Sequence, residues 1–323
     1  MLLRFGFVAM SMKLENASPS KTVTLKTFAK LAAEKPEAAL EKVRRTAEEN
    51  LANCLRLLHY CHANHVRVFR FSSRIVPLAT HPDLSHWDYL GDLGPQLAKL
   101  GDFIENNGMR ITFHPDHYTV LNSPREDVFT ASVADLAHHC RLFQAMGLAK
   151  QAKLILHVGG SYGDKEEALE RFLTNWARLP RGIAKRMTLE NDDKTFTATD
   201  TLYLCEKLQL PMVLDLHHFH CNHTEEEQLE DIFPRFVATW EGSGLPPKLH
   251  VSSPKCEKEF RSHHDFVDSV TILPALQKLK LFTGQAHVMV EAKQKDVAMF
   301  RLVEELAGQP GMEQLDAATI RVL

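Results

Sequence analysis

The chain of 323 residues reads as a single (β/α)8 barrel, and three features point there. Eight short β-branched or apolar runs alternate with amphipathic stretches, no shift in composition divides the chain, and six consecutive runs each present a His, Asp or Glu toward the C-terminal end. Parallel strands need long crossovers, usually helices, so the helix-length spacers suit this fold. One barrel domain commonly spans about 250 residues or more. The unbroken alternation favours a barrel over a doubly wound sheet. Residues 1–323 are therefore expected to form one domain, with a last helix and tail at 296–323.

The runs appear in order. Leu3–Val8 comes first. A long segment follows in which Leu51, Cys54, Leu55 and Leu58 recur at helical spacing, and then Val66–Phe71. Gly108 marks the return to Arg110–Phe113. Ser123-Pro124-Arg125-Glu126 reads as a capping box with Pro at the first helical position. It opens a helix whose Val133, Leu136, Ala137 and Cys140 share one face, and Gly147 ends that helix before Lys153–Val158. Leu179–Gly182 precedes Met187–Leu189, Pro211 precedes Met212–Leu214, and Pro246-Pro247 precede Lys248–Val251. Val288–Val290 is the eighth run.

Composition sets the outer limits. With 44% hydrophobic and 24% charged residues the chain is ordinary globular material, which excludes extensive disorder. No apolar run approaches the roughly 18 residues of a membrane span. The start, Met1–Val8, is too short and too early charged for a signal peptide, so a cytoplasmic protein without a membrane partner is expected. Cys54, Cys61, Cys140, Cys205, Cys221 and Cys256 form no CxxC pair and read as reduced thiols. Net charge is −3, from 38 Lys and Arg against 41 Asp and Glu, so no global basic signature marks a nucleic-acid binder.

The unusual count is 18 histidines, and their placement carries the argument. The third run ends at His114, the fourth at His157 and the fifth at Glu190. The sixth ends Asp215-Leu216-His217-His218, the seventh carries His250, and the eighth ends at Glu291. In a barrel these C-terminal ends converge on one mouth, where active sites of the fold lie. A single such histidine is ordinarily a hydrogen-bonded core residue. Six acidic or imidazole groups in series, without matching Lys or Arg, need cations among them. Mixed nitrogen and carboxylate donors suit Mn, Fe or Zn. The stretch His217–His223 leaves two readings, a local zinc knot or one ligand among ordinary loop residues, and the second is expected. His59, His62, His65, His86, His138 and His139 read as solvated or helical residues, and His287 as a residue preceding the eighth strand.

These stretches resemble the ultraviolet damage endonuclease family. The matching blocks are Phe69–Ser73, Pro77–Pro82, Phe113–Tyr118, Leu156–Gly163, Leu189–Asp193, Val213–His218, Lys248–His250 and Val290–Lys293, within a similarity spanning about residues 1–295. The resemblance implies a TIM barrel related to endonuclease IV and to sugar isomerases, holding three divalent ions, manganese first and zinc or magnesium as alternatives. Its implied ligands are His81, His114, His157, Glu190, Asp215, His218, His250, His263 and Glu291. His218 is preferred to His217 because the family ligand stands three residues after the aspartate. His263 is preferred to His264 because Arg261–Asp265 resembles the family's Arg-x-His-x-Asp. Glu190, Glu291 and Lys248 would be catalytic, with Lys248 either a metal-bridging carbamate or a plain ammonium on the phosphate.

The implied reaction is hydrolysis of the phosphodiester immediately 5′ to an ultraviolet lesion in double-stranded DNA, leaving 3′-hydroxyl and 5′-phosphate ends. Pyrimidine dimers, 6-4 photoproducts and abasic sites are the expected lesions, and no obligate protein partner is expected. Phe7, Ser11, Arg70, Arg74, His117, Tyr118 and Lys293 are the expected DNA contacts. Phe7 stands where tyrosine is frequent, Ser11 where some relatives have asparagine, and His117-Tyr118 where others have Gln-Tyr. Further rim cations are Lys13, Lys21, Lys26, Lys255, Lys258, Arg261 and Lys295. The competing readings are a sugar isomerase or epimerase, an abasic-site nuclease of the endonuclease IV type, and a lesion-binding protein without catalysis.

Overall fold

The computed structural model describes residues 1–148 and 152–323. Its strands are β1 (Leu2–Val8), β2 (Val68–Phe71), β3 (Arg110–Phe113), β4 (Lys153–His157), β5 (Met187–Glu190), β6 (Met212–Asp215), β7 (Lys248–Val251) and β8 (Gln285–Val290). They pair in sequence order, all parallel, and β1 joins both β8 and β2 to close the barrel. The helices are α1 (Leu25–Glu34), α2 (Pro36–Ala63), α3 (Tyr89–Asn106), α4 (Glu126–Ala145), α5 (Lys165–Trp176) and α6 (Arg181–Ala184). After them come α7 (Ala198–Leu208), α8 (Leu216–Cys221), α9 (Leu229–Ala238), α10 (Ser269–Leu279) and α11 (Lys295–Ala307). The barrel is thus the expected single-domain fold, with all eight runs as its staves.

Strand phase decides which residues reach the interior. Phe7, Phe69, Phe71, Phe113 and Phe143 of α4 make successive ring contacts of 4.9–5.7 Å, so these strand phenylalanines lie on the helix-facing side. Their neighbours Arg70, Thr112 and His114 take the inner side, where Lys248 Nζ crosses from β7 to donate to Thr112 Oγ1 at 2.9 Å. Gly6 closes the barrel: a Cβ there would sit 2.0 Å from the Val68 carbonyl oxygen of β2. A side chain at this position would force β1 and β2 apart.

Three expectations need correction. Ser123 does not form a capping box: its Oγ accepts the Arg125 N–H at 3.2 Å in a tight local turn, and α4 starts at Glu126 with Arg125 as an uncapped lead residue. Proline at 124 simply precedes the helix instead of opening it. His287 lies inside β8 rather than before it. The tail beyond α11 is a hairpin, β9 (Met312–Asp316) and β10 (Thr319–Val322), with β10 antiparallel to Leu2–Arg4. β2 pairs only with Gly6–Val8, so the first half of β1 offers a free edge that β10 covers.

Candidate metal centre

The inward residues at the C-terminal ends of β3 to β8 meet in one place. Register sets His157 beside Glu190 and Asp215 beside His250. Glu190 is the hub. Its Oε2 lies 2.9 Å from His114 Nε2 and 3.9 Å from His157 Nε2, while its Oε1 lies 2.8 Å from His250 Nδ1. His250 Nδ1 is also 2.9 Å from Glu291 Oε1, and His218 Nδ1 is 3.7 Å from Glu190 Oε1. Two groups have ligand atoms clustered within 4.8 Å: His114, His157 and Glu190, and Glu190, Asp215, His250 and Glu291. Glu190 belongs to both.

The electrostatics follow from burial and mixed sign. Burial opposes ionisation of Glu190, but His250, His157 and His114 outweigh it and hold the carboxyl well below its usual range. Burial likewise opposes ionisation of Glu291, and Arg70 with His250 overcomes it. His218 is disfavoured as a cation by burial, yet Asp215, Glu190 and Glu291 raise it to about 9. His157 is lowered, burial being the largest cause. Beneath this layer Lys248 is wholly buried. Burial, then Arg110 and Arg70, pushes its amine well below the ordinary lysine range.

The donor set fits divalent cations on one structural ground above others. Asp215 Oδ2 and His250 Nε2 are buried without a hydrogen-bond partner among the described residues. A fully buried aspartate ordinarily uses both oxygens, and here only Oδ1 is engaged, by the His218 N–H at 2.7 Å. Oxygen and imidazole donors of this kind suit Mn, Fe or Zn. One charge already competes for the site, because Arg70 forms an ion pair with Glu291.

The other expected residues divide. His263 lines the same cavity of about 510 Å³ as His114, His157, Glu190, His218 and Glu291, with its ring 6.3 Å from that of His218. His81 stands apart: it caps a short 3₁₀ turn, accepting the Asp83 N–H at Nδ1, and lines a neighbouring cavity with Asp116 and Tyr118. Arg74 pairs with Asp116 at 3.0 Å. His117 and Tyr118 project from the loop after β3, Tyr118 being 61% exposed. Lys293 is exposed beyond β8.

Phe7 and Ser11 are not on a DNA-facing surface. Phe7 is fully buried against Phe69 on the helix side of β1. Ser11 is buried and hydrogen-bonded to Asp296 Oδ2 at 2.5 Å, where it ties the loop after β1 to α11. An alignment of positions carries no information about which face a side chain takes, and strand phase puts Phe7 outward.

Asn191 was not anticipated. Its side chain accepts the Asp215 N–H at 2.9 Å and donates to the Asp215 carbonyl at 3.0 Å, while its own carbonyl lies 2.9 Å from His218 Nδ1. Its position directly after a strand-end glutamate was the available signal.

Comparison with known proteins identifies the family and the fold. The sequence model described as UV-endonuclease UvdE matches residues 3–321, beyond the blocks that end near residue 295. A UV DNA damage endonuclease of Bacillus velezensis is 44% identical over 99% of both chains, and one of Bacillus pumilus is 43% identical over the same shares. The crystal structure of SacUVDE superposes with a TM-score of 0.82 at 30% identity, covering 94% of this chain and 98% of that one. Endonuclease IV from Thermus thermophilus shares the fold, with a TM-score of 0.52 at 12% identity over 90% of this chain and 93% of that one. Because the match to the ultraviolet enzymes runs nearly end to end in sequence and in structure, the chain belongs to the UV-endonuclease family.

Proposed function

We propose that this enzyme is a metal-dependent DNA-repair endonuclease that hydrolyses the phosphodiester immediately 5′ to an ultraviolet lesion in double-stranded DNA. The observation that carries the proposal is the pair of donor groups sharing Glu190 at the barrel mouth, in a chain of this family. Manganese is the first choice of ion, and three ions are proposed. His114 and His157 would serve on one side of Glu190, and Asp215, His218, His250 and Glu291 on the other. His263 would join from the loop after β7, and His81 would have to swing in from its cavity.

Bound divalent ions supply charge neutralisation at the phosphate and a water activated near neutral pH. The remaining work falls to the chain. Glu190 and Glu291 orient the donors and hold the attacking side of the site anionic. Arg70, which pairs with Glu291 at the edge of the site, is placed to bind a phosphate oxygen. Arg74 and Lys293 add backbone contacts that carry affinity rather than sequence preference. Lys248 is proposed as a carbamate, formed when its neutral amine adds carbon dioxide and releases a proton: among the described residues its buried amine has the Thr112 hydroxyl and no carboxylate as hydrogen-bond partner. Tyr118 is exposed enough to wedge into a duplex whose stacking a lesion has weakened.

The test is a duplex oligonucleotide with one pyrimidine dimer, incubated with Mn²⁺ or with EDTA. A nick at the phosphate 5′ to the dimer, only with metal, is expected; no nick under any divalent ion would end the proposal. Tyr118→Ala is expected to lower incision of damaged duplex more than residual nicking of undamaged DNA, and an equal loss on both would refute the wedge.

A further inference from the structure

Tyr118 stands at the tip of a four-residue turn, closed by the Thr119 N–H on the Asp116 carbonyl at 2.9 Å, with His117 and Tyr118 as its central pair. On one side the turn is tied to the loop after β2, where Arg74 Nε donates to Asp116 Oδ2 at 3.0 Å. On the other side the next four residues are each fixed through a buried polar side chain. Thr119 Oγ1 donates to Asp135 Oδ2 of α4 at 2.7 Å. The Val120 N–H donates to Ser132 Oγ of α4 at 2.8 Å. Asn175 Nδ2 of α5 donates to the Leu121 carbonyl at 2.8 Å, and Asn122 Nδ2 donates to the Gly160 carbonyl after β4, also at 2.8 Å.

This flank differs from an ordinary connecting loop, which runs over the surface and moves. Thr119, Asn122, Ser132, Asp135 and Asn175 are all buried, while Tyr118 beside them stays open to solvent. A hydrogen bond such as Thr119 to Asp135, made out of reach of water, fixes one arrangement of the chain. Gly159 backs the flank from the loop after β4: its φ is +121°, and a Cβ there would sit 2.2 Å from Asn122 Oδ1. The result is an exposed aromatic tip on a rigid base. Rigidity matters to a wedge, because a side chain entering a base stack must work against the stacking. On a yielding loop the loop would bend and the duplex would stay stacked.

We propose that Asp135, acting through Thr119, is a positioning residue for damage discrimination: it holds the His117-Tyr118 turn stiff, so that Tyr118 enters a duplex weakened by a lesion and is turned back by intact stacking. The inference rests on Tyr118 acting as the wedge. Asp135 stands outside both donor groups that share Glu190, so its contribution is to selectivity and not to metal binding. With the turn loosened, Tyr118 would yield to damaged and intact duplex alike, and the difference between them would shrink.

The experiment takes the ratio of single-turnover incision of a dimer-containing duplex to residual nicking of undamaged duplex, both in Mn²⁺, with Tyr118→Ala run alongside. Thr119→Val removes the hydroxyl and keeps the shape, and the ratio is expected to fall roughly tenfold, the scale of one hydrogen bond to a charged group. Metal content and nicking of undamaged DNA are expected to hold. Thr119→Ser keeps the hydroxyl and is expected to restore the ratio. Should Thr119→Val fail to fold, Ser132→Ala, which frees Val120, is expected to lower the ratio in the same direction. If Tyr118→Ala is selective but the clamp variants lose both activities equally, or lose only melting temperature, the inference fails alone. If Tyr118→Ala lowers both activities equally, the wedge reading fails first and the inference with it.

Discussion

The two ends of the barrel interior are both polar, yet they are built from opposite charges. At the C-terminal end Glu190, Asp215 and Glu291 converge with four imidazoles, and Asp215 Oδ2 and His250 Nε2 have no hydrogen-bond partner among the described residues. At the N-terminal end Arg110 donates to the Pro246 carbonyl at 2.7 Å, touches His287 Nδ1 at 3.0 Å, and lies 4.7 Å over the Trp240 ring. Among the described residues no carboxylate pairs with Arg110 or His287, and burial pushes the guanidinium down to about 9. A cation would be repelled at the floor and attracted at the mouth. Unpartnered buried atoms occur at both ends, Arg110 Nε and Nη2 and His287 Nε2 at the floor included, so it is the sign of the charge that separates them.

The largest effect is expected from removing the hub. Glu190→Gln keeps the shape but withdraws the charge both donor groups share, and incision is expected to fall about 100- to 1,000-fold, the scale of one lost electrostatic group at a reacting centre. Single-turnover nicking measures it; a rate near wild type would take Glu190 out of the centre. Asn191→Ala leaves every donor in place and loosens Asp215, so a loss of metal affinity of roughly 10- to 100-fold is expected, typical of a ligand's supporting hydrogen bond. Unchanged affinity would make Asn191 a fold residue only.

The floor should behave otherwise. Arg110→Met strands the Pro246 carbonyl and His287, each costing about 1–3 kcal/mol. The melting temperature is expected to fall while metal content per folded chain and kcat hold. A loss of kcat without loss of stability would contradict the division between the two ends.

The smallest expected effect is in pH. His218 is raised from 6.5 to about 9, so its protonated form stabilises the metal-free chain below about 6.5, and that stability is lost as pH rises through about 9. Glu190 and Glu291 are held below their usual range, so their contribution is present at neutral pH and lost in acid. A metal held by His218 would displace its proton, so Mn²⁺ affinity is expected to climb between about pH 6.5 and 9 while the chelated protein loses stability. Calorimetry in both states checks the opposite slopes, and parallel slopes would count against His218 as a donor.

Much of this was legible beforehand, for physical reasons. Parallel strands buried on both faces are normally unbroken apolar runs, so His114, Glu190 and Asp215 stand out at their ends. What stayed hidden lacks a local signature. Ser123 and Glu126 have the spacing of a capping box, but backbone geometry after Asn122 spends the serine on Arg125. The hairpin at Met312–Val322 is short and half polar, and it exists because β1 has an open edge elsewhere in the chain. Asn191 shows only its place after a strand-end glutamate, because it acts through backbone atoms of a neighbouring strand. The clamp behind the Tyr118 turn depends on side chains from two later helices.

The carboxylates and imidazoles at the barrel mouth are proposed to hold divalent ions. Equilibrium dialysis of the purified protein against Mn²⁺, with wild type beside Glu190→Gln and Asp215→Asn, tests this without relying on DNA. Wild type is predicted to bind three ions per chain, with both variants losing sites while staying folded. Wild type binding no Mn²⁺, or variants binding as much as wild type, would contradict it.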